Sequence, residues 1–257
     1  MTRVLLACYT LWVREIVRFH RQRSRIVGAL GSPLVFWFLI GSGLNRSFQG
    51  GPGIGLQGGY LEYFYPGTLA LIVLFTAIFA TISIVEDRQE GFLQGVLVAP
   101  VPRSAVVVGK IAGATTIAVI QGVVFLLLAP LAHVRVHLSD IPALLGVLAL
   151  VSFGLAGLGF IVAWWLDSTQ GFHAIMNIFL IPLWILSGAL FPAAGAAGWV
   201  RALMLVNPMT YGVAALRWFF YDQALPGEPS FAVSLTVVVA FGVIMAAAGT
   251  LAVRRRV

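Results

Sequence analysis

Apolar and polar positions alternate along this chain in long blocks, and six of the apolar blocks have the length of a membrane crossing. A helix that spans a bilayer needs about 17–25 predominantly apolar residues. Stretches of that kind occupy 26–44, 66–85, 111–132, 141–166, 172–190 and 231–253. Each predicts a transmembrane helix. Within 1–25 the pattern is different: Arg14, Arg18, Arg21 and Arg25 recur at helical spacing, while Leu5, Tyr9, Trp12, Ile16 and Phe19 fall on other faces. That predicts an amphipathic helix along the membrane surface, its arginines toward headgroups or a partner; a simple basic anchor is the plainer alternative.

Two further segments carry helical patterns too short to cross. Residues 86–103 open with mixed charges, continue as a short amphipathic run and end at Pro100 and Pro102. They predict a short helix lying flat at the membrane surface, open to a soluble partner or serving as an ordinary interfacial helix. Residues 191–221 are apolar but broken by Pro192, Gly195, Gly198 and Asn207-Pro208. They predict two short helices, 193–206 and 209–221, hinged at Asn207-Pro208, which dip into the membrane and return. The glycine-rich stretch 45–65 ends in Tyr60, Tyr63, Phe64 and Tyr65, an aromatic belt at the outer interface.

Composition removes the soluble alternative. Hydrophobic residues make up 60% of the 257 and charged ones only 10%, against about 25% charged in an ordinary soluble domain. Such a surface is stable only in lipid, so the chain reads as one all-α polytopic membrane domain over 1–257. The net charge of +7 is explained by topology. With both termini inside, the inner segments hold Arg3, Arg14, Arg18, Arg21, Arg23, Arg25, Arg88, Arg103, Lys110, Arg254, Arg255 and Arg256. The outer ones hold only Arg46, Arg135, Arg201 and Arg217. Twelve of the sixteen basic residues inside is the positive-inside pattern, and no nucleic-acid partner is expected. The first 25 residues are too interrupted by charge for a cleavable signal peptide, and the single cysteine, Cys8, reads as a small apolar filler.

Candidate chemistry is sparse. Gly53 to Gly58 matches a dinucleotide fingerprint but lacks the flanking strand and helix, and Gly109-Lys110 has neither the first glycine nor the hydroxyl of a phosphate-binding loop. Every Asp and Glu falls outside the spans or at their ends, which disfavours a proton-coupled carrier. His173 and Asn177 lie one turn apart in the fifth span, suited to interhelical hydrogen bonds or to cargo contact. Phe36, Trp37 and Phe38 in the first span, Phe75 and Phe79 in the second, and Phe179 and Trp184 in the fifth suit an amphipathic or lipid-like cargo. Ordinary lipid-facing aromatics are the bland alternative. Arg201 and Arg217 are read as snorkelling anchors or as contacts to an anionic cargo. Gly154, Gly157, Gly159, Gly109 and Gly113 permit close helix approach, within one protomer or between two. Two rival classes stay open: a membrane-embedded enzyme with a metal at His133, His137 and Asp140, and a channel or secondary carrier working alone.

The order of these features resembles a known family. Glu86-Asp87-Arg88-Gln89-Glu90-Gly91 is followed by Pro100-x-x-Arg103, then Ser187-Gly188-Ala189-Leu190-Phe191-Pro192, Gly198-Trp199, Asn207-Pro208-Met209-Thr210-Tyr211 and Leu216-Arg217. This is similar to the type-2 ATP-binding-cassette transporter permeases, which include daunorubicin-type drug exporters, Nod-factor exporters and polysaccharide exporters. The resemblance covers essentially the whole chain. It implies a bacterial inner-membrane homodimer driven by two copies of a separately encoded ATPase, on which ATP and magnesium would sit. This chain itself would hold no cofactor, metal or catalytic residue. It implies a coupling helix carried by Glu86, Asp87, Arg88, Glu90, Gly91, Phe92, Leu93 and Arg103, and an interface helix bearing Arg14, Arg18, Arg21 and Arg25. It implies an outer re-entrant gate containing Pro192, Trp199, Arg201, Asn207, Pro208, Tyr211 and Arg217, and a route lined by the first, second and fifth spans, with Phe36, Trp37, Phe75, Phe79, Asn177 and Trp184 on it.

Overall fold

The computed structural model describes residues 2–44, 59–134 and 136–255; the stretch 45–58 and the side chain of Arg25 lie outside the described residues. Every regular element among the described residues is helical. In chain order they are α1 (Thr2–Arg21), α2 (Arg23–Leu44), α3 (Gly59–Ala80), α4 (Ser83–Gln89), α5 (Phe92–Val98), α6 (Arg103–Leu126), α7 (Ile141–Trp165), α8 (Thr169–Trp184), α9 (Gly198–Val206), α10 (Pro208–Tyr221) and α11 (Phe231–Arg255).

Among the described residues, five helical runs are long and apolar enough to cross a bilayer: α3 continued through α4, α6, α7, α8 with the turn after it, and α11. The sixth expected crossing, 26–44, corresponds to α2, which is helical over 22 residues and begins at Arg23, ahead of that apolar stretch. Helix α6 starts about two turns before the expected 111, at Arg103 behind Pro102, because nothing in 103–110 breaks a helix. Lys110 therefore lies inside it rather than in a loop.

The bundle is organised around α3. From Tyr63 to Leu74 every residue is buried, and α2, α6, α7, α8 and α10 pack around it. In lipid, polar groups must find partners inside the protein, and the large side chains near α3 do so with neighbouring backbones. Trp184 Nε1 donates to the Gly67 carbonyl (2.8 Å), Tyr65 to Phe125 (2.9 Å) and Tyr221 to Glu62 (2.9 Å).

The small residues of the spans are used for contacts within this chain. A Cβ on Gly159 would lie 3.0 Å from Ile78 Cα of α3, and one on Gly154 or Gly157 would meet Phe241 or Met245 of α11 at 2.6 or 2.7 Å. A Cβ on Gly109 would stand 3.0 Å from the Cys8 carbonyl, and one on Gly113 2.6 Å from Glu15 Cβ. Those last two glycines let α1 press its inner face onto α6, where Trp12 Nε1 also donates to Thr116 Oγ1 (2.9 Å). The N-terminal helix is thus docked on a span along one face, with Leu5, Leu6 and Tyr9 left exposed on the other.

Valine at Gly159 forces α7 off α3, against backbone that cannot yield cheaply. Overpacking of this kind costs about 1–3 kcal/mol, so the thermal midpoint in detergent is expected to fall. Gly146→Ala, which meets nothing within 4 Å, is expected to leave the midpoint unchanged or slightly raised. Equal midpoints for the two variants would contradict the assigned packing.

Candidate functional site

Three places gather the functional candidates. The first lies where α1, α4 and α6 meet. Asp87 is fully buried, with Glu15 and Lys110 only 5% and 3% exposed. Arg14 grips Asp87 with both guanidinium nitrogens (2.8 and 2.6 Å), Arg18 adds a third contact (2.6 Å), and Lys110 pairs with Asp87 from α6. Lys110 also reaches Glu15 (2.6 Å), whose other oxygen accepts from Ser83 (2.6 Å). Arg18 continues outward to Glu86 (2.9 Å) and Glu90 (3.2 Å). Burial alone would lower the affinity of the Arg14 guanidinium for its proton, but its hydrogen bonds and charge pairing with Asp87 outweigh that and raise its pKa.

Arg88 points the opposite way from Asp87. It donates to the carbonyls of Trp164 (2.6 Å) and Leu166 (2.8 Å) and pairs with Asp167 (2.8 Å), while Gln89 donates to the Asp167 carbonyl (2.8 Å). Adjacent residues of α4 therefore clamp it to α1 and α6 on one side and to the α7–α8 turn on the other. Gly91 then takes φ 77°, a left-handed value suited to glycine, and reverses the chain into α5. Of the residues expected on a coupling helix, Asp87 and Leu93 are buried within this chain, and Phe92 packs under Arg14, whose guanidinium carbon is 3.7 Å from the ring centroid. The outward face of α5 consists of Gln94, Gly95 and Val98, the last 85% exposed. Arg103 donates to the Arg254 carbonyl (3.3 Å), near the end of α11. Arginines 14 and 18, expected to face headgroups or a partner, turn inward instead because a buried carboxylate draws them; Arg21 is exposed. Glu15, Ser83 and Lys110 escaped sequence reading. The available signal was the one-turn spacing of Ser83 and Asp87.

The second place is the break between α8 and α9. Helix α8 runs into a π-helical turn, Ile185–Ala189, in which Gly188 has φ 82°. The wide turn presents the Gly188 carbonyl to Tyr63 (2.7 Å) and to Arg217 (2.8 Å). Arg217 is fully buried, paired with Glu228 and held over the Tyr63 ring with 4.3 Å from its guanidinium carbon to the centroid. Burial alone would lower its pKa; the charge of Glu228 overrides that and raises it. The reading of Arg217 as a snorkelling anchor or a cargo contact is thus corrected: its charge is consumed inside the protein by Glu228, a residue not singled out from the sequence. The expected hinge lies where α9 meets α10. Asn207 caps α10 by accepting from the Met209 amide (2.9 Å) and donates to the Leu183 carbonyl (2.6 Å), Pro208 opens α10, and Tyr211 donates to Leu205 across the break (2.8 Å). Pro192 precedes a short 3₁₀ turn, while Trp199 and Arg201 on α9 are exposed.

The third place is a cleft of about 560 Å³ walled by α2, α3 and α8, with Phe19 of α1 at its edge. It brings together Phe36, Phe75, Phe79 and Trp184. Trp37 instead points away from it, packed edge-on against Tyr65 and Phe125, and Asn177 lies exposed outside the cleft. His173, one turn before Asn177, does line it, its ring stacked on Phe79 at 4.9 Å. No group of metal-ligating side chains gathers among the described residues, and His133, His137 and Asp140 do not converge.

Residues 7–221 match the family model described as ABC-2 type transporter. The chain is 25% identical to nodulation protein J of Sinorhizobium fredii, over 83% of this chain and 80% of that protein. It is also 25% identical to the inner membrane transport permease YadH of Escherichia coli K12, over 92% of this chain and 91% of that one. With the family model covering most of its length, the chain belongs to the ABC-2 type transporter family.

Proposed function

We propose that this chain is the membrane permease of an ATP-driven exporter, powered by a separately encoded ATPase that bears on α5, and that its cargo is amphipathic or lipid-like. The observation that carries this reading is the continuity of one rod. Helices α3 and α4 run as a single apolar span over Gly59–Gln89. Near its middle the rod forms a wall of the cleft through Phe75 and Phe79. At its far end it is clamped by Asp87 and Arg88 directly before the exposed face of α5. A push on α5 therefore reaches the cleft wall through two short turns only, Glu90–Gly91 and Thr81–Ile82.

The remaining parts fit this scheme. With α2 counted as the sixth crossing, both termini lie on the cytoplasmic side, in keeping with the basic residues. The ionic mounting then stands at the cytoplasmic end and the π-turn with Arg217 at the outer end, where α9 and α10 form a re-entrant closure. Two copies of the permease, facing each other over the open side of the α2–α3–α8 cleft, sit above two ATPase copies. Each ATP state favours one packing of the halves, and a difference of a few kcal/mol is enough to switch access. The relatives named as transport permeases support the same reading.

Gln94→Arg and Val98→Glu change only the outward face of α5. They are expected to abolish copurification with the ATPase and transport together, while the thermal midpoint of the permease stays as in wild type. Cargo movement by the permease reconstituted without any ATPase would count against the scheme and for a stand-alone carrier. Lys110→Met takes the buried cation from Glu15 and leaves Asp87 with Arg14 and Arg18 alone. The expected cost is ~3–5 kcal/mol, read as a large fall in the detergent melting midpoint, with Glu15→Gln in the same chain recovering part of it. An unchanged midpoint in the single variant would show that the cluster does not hold the mounting together.

A further inference from the structure

The hydroxyls and amides of the spans mostly find hydrogen bonds inside this chain, since lipid offers them none. Ser42 on α2 donates to the Phe38 carbonyl (2.5 Å), and Thr236 on α11 donates to the Ala232 carbonyl (2.8 Å). Gln121, the amide of α6, is buried and accepts from Thr76 of α3 (2.5 Å). Asn177 of α8 does neither. It is exposed, and its side chain meets no hydrogen-bond partner among the described residues. It also lies deep: the apolar run Thr169–Ala189 places it about 12 Å from one end and about 18 Å from the other. So short a side chain reaches neither surface from there. Around it the outer face of α8 is apolar, with Ile178 70%, Phe179 66% and Ile181 47% exposed.

Apolar exposure on a span is satisfied by lipid, but an amide facing hydrocarbon loses its bonds to water and gains nothing in return. Another protein surface must therefore cover Asn177, and the chemistry of the group selects which. An amide carries donor and acceptor on one side chain, and at a two-fold axis a residue faces its own copy. Two asparagines so placed exchange two hydrogen bonds, the N–H of each donating to the carbonyl oxygen of the other. Position agrees with this. Asn177 stands four residues from His173 and four from Ile181, both of which line the cleft, so it borders the cleft's open side. Resting on the paired arrangement proposed above, we infer that Asn177 is the contact joining the two copies. It pairs with the partner's Asn177 at mid-membrane and holds the two α8 helices together at the lip of the cleft.

The test follows self-association of the full-length permease in lipid vesicles, by energy transfer between donor- and acceptor-labelled copies as lipid is added. Asn177→Leu is expected to raise the protein-to-lipid ratio at half-association at least about 10-fold, within the range that two interhelical hydrogen bonds supply. Asn177→Gln keeps the amide and is expected to recover most of that loss. Melting midpoints in detergent confirm that each variant is folded. In a Cys8→Ala background, Asn177→Cys is expected to form a disulfide between two copies on oxidation. Phe179→Cys, close to the same depth but about 200° around α8, is expected not to. Association of Asn177→Leu as tight as wild type, or equal cross-linking from Phe179→Cys, overturns the role of Asn177 and leaves the exporter reading standing. Wild-type permease that stays monomeric at every dilution overturns the paired arrangement and this inference with it.

Discussion

A buried carboxylate must be matched by cations of its own protein, and in this molecule Asp87 imposes that requirement on everything around it. It sits at the end of the central rod, fully enclosed, and draws Arg14 and Arg18 from α1 and Lys110 from α6. An isolated charge there would cost several kcal/mol, and only close geometry with further hydrogen bonds offsets it. Here the geometry is bidentate from Arg14, and Glu15 with Ser83 absorbs the rest of the Lys110 donors. The position of α1 follows from that match, since its arginines can reach Asp87 only if the helix lies tight on α6. Gly109 and Gly113 make room for it. The mounting of α5 follows as well, because Arg88, next in the chain, ties the same turn to the far side of the bundle.

The fold was largely readable because lipid enforces simple rules. Length and apolar character located the α3–α4, α6, α7, α8 and α11 crossings, and the prolines and glycines between 191 and 221 marked the α9–α10 break. Helix α2 covers the whole of the expected 26–44 stretch and starts only three residues earlier, at Arg23. The candidate site was legible in part. Phe36, Phe75, Phe79 and Trp184 do line one cleft, but Trp37, beside Phe36 on the same helix, points some 100° away and is buried against Tyr65. Sequence spacing tells which residues share a face, not which face looks inward.

Charge was the least legible feature. Counting basic residues by segment treated Arg14, Arg18, Lys110 and Arg217 as free positive charge, whereas each is spent on a carboxylate: Asp87 for the first three, Glu228 for the last. Arg14 and Arg18 lie 73 and 69 positions from Asp87, and Lys110 lies 95 from Glu15, separations that leave no local pattern. The Arg217–Glu228 pair is close in sequence, but its burial depends on a left-handed glycine in the α8 turn, and a single sequence does not announce that conformation.

That glycine has a mechanical consequence. Its carbonyl holds Tyr63, one turn from the start of α3, while Asp87 stands near the end of α4, so the strut of 31 residues made by α3, the turn at Thr81–Ile82 and α4 is fastened at both extremities. At 1.5 Å per residue the strut is roughly 46 Å long, and pivoting it by about 5° around its midpoint shifts each tip by about 2 Å in opposite directions. A shift of that size is enough to part a hydrogen bond. Rocking the strut from one extremity therefore strains the fastening at the other.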